Sequence, residues 1–404
     1  MRCLTPRILC ELQVVFHRQK ITCFSTLDLS SKTGSLLKTI FYIVSFLGKS
    51  AENYSNSLFL EFLGTSSAAS TRTRNVSSVA LHLPTGGALL FDCGEGTVRQ
   101  MNFGKVKPLD LKAVFITHLH GDHIYGLPGL GMSLIESKKS IPLFAPVGLR
   151  NISLGGAYAL RNFDLQPIHK PQFTEPIEPN GILLHRKTNR YRVYEDEHFT
   201  VEAQTLRHSV FCLGYVVAEK VARGKFIKEK LGEYDIPFEF RCEFFKTLTN
   251  GGSVQMADGR VVNPADVMEA PRQGRKIVIL GDTCDSSNIA HIAQDADVLV
   301  HEATCVDEEK SFALQTMHST AGMAGSFARR ISARNLILTH FSPRLFNDDN
   351  PSEGCLMKKL IVQAQATFGK STVYAAEDFW RFKIPLSNQA SDGNNHMIKR
   401  ETLS

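Results

Sequence analysis

The sequence predicts an α/β fold. Three observations carry this. Four apolar runs of strand length, residues 113–117, 276–280, 297–300 and 335–339, each end in histidine or carboxylate residues, which is where α/β sheets place functional side chains. Shorter apolar runs joined by glycine turns precede them, with Gly86-Gly87 between residues 76–83 and 88–91, and these read as antiparallel pairs. Helical patterns over 321–333 and 353–368 alternate with the last strands.

Bulk properties narrow the class. At 404 residues, with 43% hydrophobic and 21% charged side chains, the chain can bury a large core. The net charge is +6, but residues 1–57 hold seven Lys/Arg against three Asp/Glu, so +4 of it lies there. The remaining +2 leaves residues 58–404 nearly neutral, and a nucleic-acid surface must be a local patch. Nine scattered cysteines without a repeated spacing fit reduced thiols better than a disulfide framework. The longest apolar run, residues 40–47, is about half of what a membrane span requires, so no membrane partner is expected.

Taken in order, residues 1–57 form a basic, acid-poor extension with Arg2, Arg7, Arg18, Lys20, Lys32 and Lys38 among apolar and hydroxyl residues. This is the composition of a mitochondrial presequence; an untargeted extension, with the protein in cytoplasm or nucleus, is the alternative. The catalytic domain is expected over 58–386. It opens with a strand at 58–64, a polar loop at 65–75, a half-buried strand at 76–83 and a third at 88–91. A helix is expected from Gly126 to about Ser137. In the middle stretch His169, His185 and His198 read as exposed structural residues. A strand at 199–206 ends at Arg207-His208, which makes His208 a metal candidate.

Residues 219–273 break the pattern and read as an insertion. Lys220, Arg223, Lys225, Lys228 and Lys230 fall within eleven residues beside a single acid, Glu229. Phe238, Phe240, Phe244 and Phe245 follow, then a hairpin-like Asn250-Gly251-Gly252 with Asp258-Gly259 behind it. Lysines can neutralise phosphates while rings stack on bases; a solvated helix with a small hydrophobic anchor is the equal alternative. Ser319 or Thr320 is the expected N-cap of the helix at 321–333, a last strand covers 372–376, and residues 387–404 form a polar tail of disordered character.

The chemistry concentrates in His118-Leu119-His120-Gly121-Asp122-His123. Imidazole and carboxylate groups crowded at a strand end are costly to bury without a partner, and a cation is the natural one. Together with His208, Asp282 and His340 they make seven ligands, the number two four-coordinate ions need when one carboxylate bridges. Asp282 is the best bridge, because its strand supplies no other ligand. Asp122 can also take a proton from the water such ions activate. His301, Glu302 and His318 remain outside the ligand count, and a His–Glu pair can move a proton to a leaving oxygen.

The order FLGT, DCGEGT, HLHGDH, GDT, HEAT, HST and THFSPR, from about Leu58 to Pro385, resembles the metallo-β-lactamase fold and, within it, the short form of tRNase Z. The resemblance implies a four-layer αβ/βα sandwich with two zinc ions per subunit. His118, His120 and His208 would hold one ion and Asp122, His123 and His340 the other, with Asp282 between. It also implies removal of 3′ trailers from precursor tRNA, with Glu302 and His318 helping to protonate the leaving group. A loop contributing Arg72, Arg74 and Asn75, and an arm over 219–273 gripping the RNA, are implied, as is a homodimer. The sequence departs from the family pattern at Ser70 and Arg72, and at Glu239-Phe240, where the arm usually has Gly-Pro. A hydrolase of small phosphodiesters or thioesters is a competing expectation; the basic insertion and the HEAT and HST elements count against it. A catalytically idle RNA-binding relative is a third, and the complete ligand set counts against that.

Overall fold

The computed structural model describes residues 57–151, 160–172, 180–234, 236–237, 240–346, 353–386 and 397–398. The basic extension, Ser57 apart, and most of the tail lie outside these residues, as do Phe238 and Glu239. Among the described residues no helix is long and apolar enough to cross a membrane.

Two sheets form the body. The first contains β1 (Phe59–Gly64), β2 (Ser78–His82), β3 (Ala88–Phe91), β4 (Leu111–Phe115), β5 (Ile141–Pro146) and β6 (Phe163–Ile168) in that order, and β16 (Arg381–Lys383) on the far side of β1. Within the tail, the apolar pair Met397–Ile398 (β17) adds to β16. The second sheet runs β15 (Val373–Ala375), β14 (Asn335–Thr339), β13 (Val298–Glu302), β12 (Lys276–Leu280), β9 (Cys212–Glu219), β8 (Phe199–Leu206) and β7 (Tyr191–Glu195).

Both sheets are mixed, so the antiparallel pairing expected of the early strands holds for only part of each. The loop 65–77 and the Gly86-Gly87 turn give antiparallel β1–β2–β3, but the helices Thr97–Phe103 and Leu127–Ser133 intervene before β4 and β5, and these strands pair in parallel. A crossover through a helix returns the chain to the same end of the sheet, so the next strand must run parallel. The second sheet is antiparallel from β7 to β12 and parallel from β12 to β15.

Strand alternation sorts the core into layers. Ile277, Ile279, Val298 and Val300 face Phe62, Phe91 and Phe115 of the first sheet, while Val278, Leu280 and Leu299 turn outward to the helices Ala321–Arg330 and Glu353–Phe368. On the other side, Leu90, Val114 and Leu143 pack on Met101, Leu127 and Leu130. Helix, sheet, sheet, helix is the resulting order. The helix Ala321–Arg330 starts at Thr320, whose hydroxyl accepts from Met323 N. His169 departs from expectation: it is buried, while His185 and His198 are exposed.

The insertion packs around a core of its own, with Ile236, Phe244, Leu248, Val262 and Val267 buried. Its hairpin, β10 (Val254–Gln255) with β11 (Val261–Val262), turns at Asp258-Gly259 rather than at Asn250-Gly251-Gly252. Gly251, at φ 83°, instead follows the helix Arg241–Thr249, the position where a left-handed residue ends a helix.

Candidate metal centre

Every ligand sits just past the C-terminal end of a strand. β4 ends at Phe115, and Thr117 is fixed by Asp92, whose carboxylate accepts from its backbone N (2.7 Å) and hydroxyl (2.9 Å). His118 and His120 then project the same way before the turn Gly121–Ile124 carries Asp122 and His123. His208 follows β8, Asp282 follows β12 and His340 follows β14 directly, at φ 59°. The first sheet thus supplies four ligands and the second three.

Their atoms converge in two groups. His118, His120, His208 and Asp282 form one and Asp122, His123 and His340 the other, each within 4.8 Å. Asp282 lies between them, 3.6 Å from both His118 Nε2 and His123 Nε2 and 3.3 Å from His340 Nε2. His318 also reaches Asp282 and His340 within the same span. The nitrogen spacings are 3.1 Å for His118–His120, 3.3 Å for His208–His120 and 3.3 Å for His123–His340. Bonds of about 2.0–2.1 Å to a tetrahedral zinc set ligand atoms about 3.3 Å apart, so the residues fit the ion.

The other nitrogen of each ring supports that assignment. His123 Nδ1 donates to Asp92 Oδ2 (2.7 Å), His208 Nδ1 to the Met317 carbonyl (2.9 Å). Thr117 and Thr304 already donate their hydroxyl protons to Asp92 and Glu302, so they accept from His118 Nδ1 and His340 Nδ1, both at 3.0 Å. Four Nε2 lone pairs are left facing the same small volume, an arrangement that a cation relieves. Burial pushes His118, His120 and His208 below the usual imidazole range and so keeps them in the neutral form that binds metal. Burial acts the same way on His123, but Asp282 and Asp92 outweigh it and raise its pKa, so proton and metal compete there.

Comparison with known proteins decides the family. The family described as anti-Pycsar protein Apyc1 matches residues 58–152. Ribonuclease Z of Nostoc sp. is 38% identical over 330 residues, 81% of this chain and 95% of the relative. The chain belongs to the ribonuclease Z family. Ribonuclease Z of Synechocystis sp. is 39% identical over 331 residues, covering 81% of this chain and 94% of that one. Among solved structures, human tRNase Z, short form, is similar at a TM-score of 0.56 and 29% identity, over 81% of this chain and 100% of that chain. The metallo-β-lactamase fold expected from the motifs is therefore the one observed, in its short ribonuclease Z form.

Around the candidate ligands stands a second group. Glu302 accepts from Thr283 N (2.7 Å), Ser319 N (3.0 Å) and the Thr304 hydroxyl (2.5 Å), and pairs with His318 Nδ1 at 3.0 Å. Burial lowers the His318 pKa, but the Glu302 bond and charge raise it more, to about 9. His301 needs correction. On β13 it alternates with Glu302 to the opposite face, where its ring meets Ser286 Oγ (3.0 Å) and the Glu302 carbonyl (2.8 Å), away from the ligands.

The expected RNA contacts divide. Arg72 is exposed, but Arg74 is buried: its guanidinium donates to Thr65 Oγ1 and the Ala376 carbonyl, both at 2.7 Å, and stacks on Phe341. Asn75 likewise ties the loop down, to Asp378 and the Glu95 carbonyl. Arg223, Lys225, Lys228 and Lys230 are exposed on the insertion, whereas Lys220 is bonded to Glu195 and to the Asp196 carbonyl at its base. Phe244 and Phe245 belong to the insertion's core and Phe240 is exposed. Sequence reasoning missed Asp92 and Thr304 as supports of the ligand rings. The available signal was an acid directly ending β3 and a threonine two residues after Glu302.

Proposed function

We infer that this chain is a zinc-dependent endoribonuclease that removes 3′ trailers from precursor tRNA, cutting after the discriminator base. The observation that carries the reading is the pair of ligand clusters sharing Asp282 at the ends of strands from both sheets, in a chain of this family. Two zinc ions per subunit match the two clusters; bound there, they would acidify a shared water and hold the phosphoryl oxygens of an in-line displacement.

The chain's own groups supply the rest. Asp122 Oδ2 accepts from Ala68 N at 2.7 Å, which aims the carboxylate as proton acceptor. His318, protonated at neutral pH through Glu302, stands beside His208 and His340 with ring centroids at 5.1 and 5.6 Å. There it donates a proton to the departing 3′ oxygen, leaving a 3′-hydroxyl on the tRNA. Arg72 and the exposed lysines of the insertion meet the phosphate backbone.

We read the chain as a homodimer, a reading the insertion's placement supports. It leaves the body at the Glu219 end of β9, whereas the metal ligands gather at the Cys212 end. At about 3.3 Å per residue the two ends stand about 23 Å apart. In such a dimer, RNA held by one copy's arm would be offered to the site of the second copy. The basic leader supports mitochondrial delivery, with cytoplasm or nucleus as the alternative.

The test is cleavage of a 3′-extended precursor tRNA by the wild-type chain and by Asp122→Ala. One cut after the discriminator base, absent in the variant, is expected. Intact precursor together with hydrolysis of an aryl phosphodiester would overturn the substrate and leave the metal chemistry standing.

A further inference from the structure

We propose that Glu219 is a clamp that fixes the angle of the arm, making it a positioning residue for RNA capture. The inference rests on the reading that the arm holds RNA. The arm leaves the body after Glu219 and returns at Arg275-Lys276. Glu219 Oε1 accepts from Arg272 Nη2 (3.1 Å) and Arg275 Nη2 (3.0 Å), and Oε2 accepts from Arg275 Nε (2.8 Å) and N (3.2 Å). Arg275 Nη1 donates onward to the Ile384 carbonyl at 2.9 Å, just past β16 of the first sheet. One carboxylate on the second sheet thereby joins both legs of the arm and, through Arg275, the first sheet.

Above the clamp the legs form a narrow ribbon. Ala222 and Arg272 exchange backbone hydrogen bonds of 2.9 and 2.8 Å, and Glu269 N and Ile227 N continue the ladder to the Lys225 and Val267 carbonyls. A Cβ at Gly224 would lie 1.7 Å from the Glu269 carbonyl oxygen, and one at Gly274 1.7 Å from that of Glu219. The ribbon holds the legs together but does not set their direction. That task falls to groups bonded to the body: Glu219 with Arg275, and Lys220, whose N meets the His198 carbonyl at 2.7 Å and whose ammonium meets Glu195 at 2.6 Å.

The energetics favour positioning over bulk stability. Glu219 and Arg275 are both more than nine-tenths buried as side chains, and a buried ion pair recovers little beyond its desolvation cost while it does select one geometry. An arm some 50 residues long, Ala222–Arg272, acts as a lever. A small change of angle at its root displaces the exposed lysines by several ångströms and leaves the metal centre untouched.

The experiment compares the wild-type chain with Glu219→Gln, Arg272→Gln and Arg272→Lys, on precursor tRNA and on bis(p-nitrophenyl) phosphate. Native-state hydrogen exchange of the arm and of β13 is followed in parallel. Both Gln variants are expected to raise KM for tRNA about tenfold with kcat nearly unchanged, the sign of lost uniform binding. The aryl ester should be hydrolysed as before, Arg272→Lys should recover part of the loss, and amides of 222–227 and 267–272 should exchange faster while β13 does not. An unchanged KM with unchanged exchange overturns the clamp. So does an equal loss on both substrates with faster exchange throughout, which would make Glu219 a support of the whole body. If the wild type cuts the ester and no RNA, the function proposed above fails, and the exchange of the arm still decides the clamp.

Discussion

Glu61 interrupts an otherwise apolar strand and is completely buried. Its carboxylate accepts from His82 Nε2 (2.9 Å), Lys105 N (2.9 Å), Val106 N (3.2 Å) and Arg381 Nε (3.0 Å). Burial alone would raise its pKa, but the His82 bond and charge, with the other donors, bring it down to about 2. A depressed carboxylate stabilises the fold above its unfolded pKa and loses that contribution as pH falls through the folded one. Glu61→Gln should therefore cost about 3 kcal/mol near neutrality, with the gap closing between about pH 4.5 and 2. Urea unfolding across that range checks it, and a gap independent of pH would show that packing, not charge, is responsible. The same scale separates what could be read in advance from what could not. His118, His120, Asp122, His123, His208, Asp282 and His340 were legible because their chemistry has few other uses at strand ends. Asp92 and Thr304 left only a faint signal, an acid ending a strand and a threonine near Glu302, because each acts on a ring that only folding brings near. Arg74 misled because a loop arginine looks like a phosphate contact until burial shows it bonded to its own fold. His301 misled because its partner on the next position faces the other side of the strand.

Elements position the centre by approaching one another without side chains between them. A Cβ at Gly94 would stand 2.3 Å from the Asp122 carbonyl oxygen and 2.6 Å from Val76 Cγ2. Gly94→Ala should push the turn bearing Asp122 and His123 out of register with His340. Overpacking of about 1–3 kcal/mol corresponds to a roughly 5- to 150-fold weaker hold on metal. Metal retained after gel filtration measures this, with far-UV circular dichroism to show that the sheets persist; full retention would refute it. Helix and strand positions were legible from periodicity, as in Glu353–Phe368. Strand direction was not, because it depends on whether the connection between two strands is a turn or a crossing helix. The hairpin at Asp258-Gly259 was confused with the helix end at Gly251 because both places demand a residue with positive φ.

For the whole molecule the decisive feature is the distance between the arm's root and the ligands. If the arm serves a second copy, mixing Asp122→Ala with a chain whose residues 222–272 are replaced by a short linker should restore cleavage. Random exchange yields roughly a quarter of the wild-type working sites, because half the dimers are mixed and each has one complete site. Absence of recovery after demonstrated subunit exchange would place arm and site in the same copy. The insertion itself was visible in the sequence as a break in pattern. Its independent core was not, because Phe244 and Phe245 carry the same letters whether they pack inward or stack on bases.

The seven ligands come from loops of both sheets, so the metal centre is also a tie between the two halves of the fold. Whatever free energy the ions contribute on binding is added to the folded state alone, as long as the unfolded chain binds them weakly. Intracellular proteolysis follows the population of open chains. A chain starved of metal would thus be removed as well as idle, and the amount of this protein in a cell would track the metal supply before any regulator acts.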